Sequence, residues 1–217
     1  MKTSGNGQEH GAGGSPARRG SAEILQEKLI VTDLRMVNEV LVRVAEDGSA
    51  IRAGTAIVTA RRRFVAGAGS SGAHATFLAT RLTAGLAHVQ LIDTFIRNID
   101  VISEVRDSDL LVAFGFRPYR RATIDFARLF HEAGGSVLAI TDDSDSPLIE
   151  WAKETILISP EGRGTSNRTT AIAAVSNLIA SLATASAKGA RRRFAERDRI
   201  SRELGIYVGE WEDDVLI

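Results

Sequence analysis

Five short apolar runs, "RFVAG", "HVQLID", "DLLVAFG", "SVLAIT" and "ETILIS", recur between residues 63 and 159, separated by segments that mostly read as helices. Alternation of this kind builds βαβ crossovers, which require a parallel sheet. Because the runs are apolar at nearly every position, both faces of each strand must be buried and helices must cover both sides. The pattern therefore predicts an α/β chain, a three-layer α/β/α sandwich around a five-stranded parallel sheet.

Upstream of the first run, Val37, Val40, Leu41 and Val44 recur at the spacing of an amphipathic helix, and "SAIRAGTAIVTARRR" reads as a second. Beyond the fifth run, "TTAIAAVSNLIASLATASA" places Ala171, Ile172, Val175, Leu178, Ile179 and Leu182 on one helical face. A charged helical stretch follows from Arg191 to about Leu204. Residues 1–22 are Gly, Ser and charge with little to bury, so they read as a disordered tail, while residues 208–217 form an acidic one. Residues 23–207 remain as one domain, in keeping with a length of 217 residues of which 44% are hydrophobic.

Twenty-seven basic and twenty-seven acidic side chains cancel, so no global charge draws the chain to nucleic acid or an anionic membrane. The arginine runs 61–63 and 191–193 read as solvated surface. The chain has no cysteine, which excludes disulfides, thiolate metal sites and a thiol nucleophile, and fits a cytoplasmic location. No apolar run approaches the roughly 18 residues of a membrane span, and the first residues lack the apolar centre of a signal peptide. No set of His and carboxylate residues has metal-ligand spacing.

Ligands of open parallel sheets sit at the carboxyl ends of the strands, where the strand order reverses. In the flavodoxin-like order 2-1-3-4-5, the turns "GAGSSGA" and "FGFRPYRRAT" after the first and third runs face one another there. Both lead into helices and so present unbonded N–H groups. Gly67 and Gly69 permit a tight turn, Ser70 and Ser71 add hydroxyls, and Arg117, Arg120 and Arg121 add cations. Together they describe an anion site. The same G-x-G-x-x-G spacing also suits a dinucleotide, with Asp93 roughly 20 residues on as the ribose ligand. Against that stand the Ser-Ser pair inside the motif and a strand count one short of the full dinucleotide fold. The blander reading is that Ser71 caps its helix.

The segments "RRRFVAGAGSSGAHATFLATRL", "DSDLLVAFGFRPYRRATIDFARLFHEAGGSVLAITDDSDSPLIEWAKETILI" and "TSNRTTAIAAVSNLIASLA" stand in the order of a known family. From about residue 30 to 207 the chain resembles the SIS, or sugar isomerase, domain, and most closely the effector domain of RpiR/MurR-type bacterial transcription regulators. The resemblance implies a dimer that binds a phosphosugar, with Ser70 and Ser71 on its phosphate; together with the residues of the two turns this gives Gly69, Ser70, Ser71, Gly115, Phe116, Arg117, Arg120 and Ser166 as the expected phosphosugar-binding set, and no cofactor is expected. The regulators tend to read I-S-F-x-x-Y-S-R after the third strand; here Gly115 and Arg120 of "FGFRPYRR" replace the two serines. The helix-turn-helix domain of those regulators has no counterpart in residues 1–22, so direct operator binding is not expected.

An aldose–ketose isomerase needs a general base near the reacting carbons. The isomerase branch tends to place a Glu at the helix after the fifth strand, where this chain has Ser166, Asn167 and Arg168. Glu161 is the nearest substitute and His74 the other candidate; solvation of the first and packing of the second are the simpler readings. His88 and His131 read as edge or surface positions and Tyr119 as pocket rim, while Phe114 and Phe116 alternate at the strand end, so that one is expected in the core and the other on the pocket floor. "TDDSDSP" reads as a capping turn, with contact between its carboxylates and sugar hydroxyls as the lesser reading. The sequence thus predicts a sensing or regulatory phosphosugar-binding protein, with a sugar-phosphate isomerase, or a dimerisation module with a degenerate pocket, as the alternatives.

Overall fold

The computed structural model describes residues 16–92, 98–158 and 168–209. Its strands are β1 (Arg62–Gly67), β2 (Val89–Ile92), β3 (Asp109–Gly115), β4 (Ser136–Thr141) and β5 (Glu154–Leu157). All neighbours pair in parallel, in the order β2-β1-β3-β4-β5. The order reverses between β1 and β3, as in the flavodoxin-like order expected from the sequence.

Alternate strand residues feed two cores. Val65, Leu110, Val112, Phe114, Leu138, Ile140 and Ile156 face α1 (Pro16–Glu46), α2 (Ser49–Thr59), α3 (Ser71–Gly85) and α6 (Thr169–Ser186). Phe64, Ala66, Leu111, Ala113, Val137 and Ala139 face α4 (Asn98–Ser103) and α5 (Arg121–Glu132). Each fully buried Leu, Ile or Phe contributes about 1.5–3 kcal/mol, so the all-apolar strands stabilise both interfaces at once. α7 (Ala190–Glu203) packs on α3. Among the described residues α6 alone is long and apolar enough to cross a membrane by composition. Its apolar stripe instead packs against α1, α2 and α3.

Two sequence expectations need correction. α1 begins at Pro16, inside the stretch 1–22 read as a tail, with proline at the first helical position, where its missing N–H is no loss. Residues 1–15 and the acidic residues 210–217 lie outside the described residues. The run Arg61–Arg63, read as solvated, instead ties the amino edge of the sheet together. Arg63 is 7% exposed and donates to the carbonyls of Ile57, Val58 and Ala87, while Arg61 and Arg62 pair with buried Asp109. The Arg62 guanidinium also lies over the Phe64 ring, and the three heads meet carbonyls and a carboxylate that a helix-to-strand turn would otherwise leave without donors. Arg191 and Arg192 are exposed, as expected, whereas Arg193 reaches the carbonyls of Gly85 and Lys188.

Candidate functional site

β1 and β3 end side by side, with Gly67 opposite Phe114, so the turns that follow them start at one level. The first turn is as tight as its glycines allow: a Cβ on Gly67 would lie 2.6 Å from the Ser71 carbonyl oxygen, and Gly69 has φ of 64°. The turns are bonded directly, since the Ala68 N–H donates to Oγ1 of buried Thr123, in the first turn of α5, at 3.1 Å. Ser70 precedes α3 and makes no capping bond, and Ser71 is its first residue, so the capping reading of Ser71 does not hold.

Arg120 closes this arrangement. Its guanidinium lies along Gly69, so close that an added Cβ there would sit 3.0 Å from Nε. Among the described residues it pairs with no carboxylate, which leaves a cation over two helix amino ends. Two of the arginines around it are engaged elsewhere. Arg117 pairs with Asp145 and, at 3.7 Å, with Asp143, and lies over the Tyr119 ring, so it turns away from Gly69. Arg168, at the start of α6, donates to Asp142 at 2.7 Å.

Asp142, the first residue past β4, is 1% exposed. It accepts from the Arg117 N–H at 3.1 Å and the Tyr119 hydroxyl at 2.8 Å as well as from Arg168. Burial pushes its carboxyl up, but these donors together hold it below the usual carboxylate range. Burial, and then the bond to Asp142, pushes the Tyr119 hydroxyl up to about 12. Thr141 bonds the Gly115 carbonyl at 2.6 Å and the Ser146 hydroxyl at 2.7 Å. "TDDSDSP" is therefore more than a capping turn.

On the other side, His74 packs edge-on to Phe116 and tilted over Phe114, with ring centres 6.1 and 6.4 Å away. Burial lowers its pKa and so favours the neutral ring. Phe114 is fully buried and Phe116 partly, at the strand end where the sequence predicts a pocket floor. The crevice thus combines helix amino ends, serine hydroxyls and the guanidinium of Arg120 with an aromatic and imidazole wall. Such a set holds a compact anion with an apolar or hydroxylated body attached.

The model for the SIS domain matches residues 56–187, more than half of the chain. The chain belongs to the SIS domain family. Its fold is similar to the sugar isomerase domain of the RpiR transcription factor from Sphaerobacter thermophilus, at 25% identity and a TM-score of 0.71 over 81% of this chain and 98% of that one. The Vibrio vulnificus NanR protein, complexed with ManNAc-6P, shares the fold at 18% identity and a TM-score of 0.65, over 88% of this chain and 76% of that one. So does a hypothetical protein from Methanococcus jannaschii whose structure infers a molecular function of 3-hexulose-6-phosphate isomerase, at 16% identity and a TM-score of 0.60, over 79% of this chain and 96% of that one. No curated protein matches the chain.

Within this SIS domain the residues named from sequence fall into three groups. Gly69, Ser70, Ser71 and Arg120 come together at the β1 and β3 turns. Gly115, Phe116 and Arg117 share the β3 turn, although Arg117 faces acidic residues. Ser166, Glu161 and Asp93 lie outside the described residues. His88 is exposed, and His131 stacks near Trp151 away from the crevice. Among the described residues no three His or carboxylate groups converge as a metal site. Sequence reasoning gives Asp142, Thr123 and Arg168 no part in joining the turns; for Asp142 the available signal is a polar "TD" closing an otherwise apolar strand at the carboxyl edge.

Proposed function

We propose that this SIS-domain chain binds a phosphorylated carbohydrate derivative and serves as a sensing or regulatory module, working as a homodimer. The observation that carries the reading is Arg120, unpaired among the described residues and laid along Gly69 where the amino ends of α3 and α5 converge. The ManNAc-6P held by the Vibrio neighbour, and the hexulose phosphate named for the Methanococcus one, are of the same class. Binding is favoured over isomerisation because the described carboxylates at the crevice, Asp142, Asp143 and Asp145, are all engaged by arginine, and none stands ready as a base. Dimerisation is supported by α1, whose upstream half exposes Ile24, Leu25, Leu29, Ile30, Val31 and Leu34.

The test is a thermal-shift panel of aldose and ketose phosphates, including ManNAc-6P, with nucleotides and NAD alongside. A phosphosugar at 100 times its Kd stabilises the chain by about 2.7 kcal/mol. Arg120→Ala and Ser71→Ala should each weaken that response at least tenfold in apparent Kd while preserving the fold. A response to NAD alone, or equal responses in R120A and wild type, overturns the reading.

A further inference from the structure

We infer that Asp142 is the positioning residue of the crevice, a buried carboxylate that locks the β3 turn in the shape that presents Arg120. The inference deepens the binding reading and rests on it for its ligand arm. Three segments remote in sequence meet on this one side chain: the β3 turn through the Arg117 N–H and the Tyr119 hydroxyl, the β4 turn on which Asp142 sits, and the start of α6 through Arg168. Each donor is polar and partly or fully withdrawn from water, so each needs an acceptor here, and an ionised carboxylate supplies acceptor sites for all three.

The consequence for Arg120 is geometric. Arg117 and Tyr119 are anchored to Asp142, and the Thr123 hydroxyl is anchored to the β1 turn. Arg120 lies between these anchors, in extended conformation at φ of −86° and ψ of 120°, so they fix the point from which its side chain reaches Gly69. The same carboxylate engages Arg168, while Asp143 and Asp145 engage Arg117. The acidic β4 turn therefore takes up two of the arginines around the crevice and leaves Arg120, laid along Gly69, to meet the anion. Asp142 acts through its neighbours and need not touch the ligand.

Two measurements test this. The first needs no ligand: hydrogen–deuterium exchange of the Arg117 amide should rise at least tenfold in D142A, and stay at the wild-type rate in D145A, which removes only an exposed partner. D142N, which keeps an acceptor of the same shape, should fall between them and guards against a D142A chain that does not fold. The second is a binding cycle with inorganic phosphate and ManNAc-6P as probes. D142N and R120A should each weaken binding about tenfold or more, and the double variant should be little weaker than R120A alone, because Asp142 acts through Arg120. Unchanged exchange in both D142A and D142N, or fully additive losses in the cycle, overturns the inference. If wild type binds neither probe, the binding reading fails while the exchange result still decides the role of Asp142.

Discussion

A side chain at position 115 would find its space taken: a Cβ there would lie 2.6 Å from Cδ1 of Leu148, which is fully buried in the core on the α5 side of the sheet. The serine of the related regulators cannot simply be restored. Gly115→Ser should destabilise the chain by about 1–3 kcal/mol through overpacking. Leu148→Ala opens the space, so the double variant should be less destabilised than the sum of the two single changes by at least about 1 kcal/mol in urea unfolding, and strict additivity would contradict the packing argument. At this scale the sequence is only half legible. Gly69 and Ser70 announce themselves through a glycine turn before a helix, whereas the role of Leu148 depends on a contact across 33 positions of chain that no local pattern encodes. Arg120 and Arg117 look alike in "FRPYRR", and only the acidic turn after β4 separates the paired cation from the unpaired one.

Strands and helices are far easier to read, because all-apolar runs and the 3.6-residue period reflect burial on two faces and on one face respectively. The failure comes at an element boundary, where "ARRRFV" passes from helix to strand and its charge suggests solvent exposure. In the fold, β1 and β3 are held at their amino ends by Asp109, which is 1% exposed, receives Arg62 at 2.7 Å and Arg61 at 3.3 Å, and accepts the Arg106 N–H. Burial pushes this carboxyl up, but the bonds from Arg62 and Arg106 outweigh it and hold it below the usual 3.8. A depressed carboxyl stabilises the fold fully above the unfolded value and loses that contribution as pH falls through the folded one. Resistance to urea should therefore fall steeply below about pH 4 in wild type. D109N should cost about 3 kcal/mol at neutral pH, the lower end for breaking a buried pair because Arg62 still reaches water, and should flatten the acid slope. An acid slope identical to wild type would remove Asp109 from this role.

For the molecule as a whole, the helical period of α1 outruns the domain that uses it. Ile30, Leu34, Val37, Leu41 and Val44 step by four, three, four and three residues along one face, the spacing of a seam between helices. The downstream end of that seam is buried, with Val44 at 1% exposure, while Ile30 and Leu34 remain at 50% and 66%. α1 meets the first turn of α6 through the bond from Thr170 to Asp33, so the residues before Asp33 extend past the amino end of α6, with no helix among the described residues alongside. An apolar seam left in water is unfavourable, and a second copy carrying the same seam is its simplest partner, since a two-fold axis lets each helix cover the other. Ile30→Glu combined with Leu34→Glu places two charges on that face without touching either core. Sedimentation equilibrium should show a dimer for wild type and a monomer for the double variant, with helix content by circular dichroism unchanged. A monomeric wild type, or a variant that stays dimeric, would mean that the stripe serves another partner or that the dimer forms through a different face.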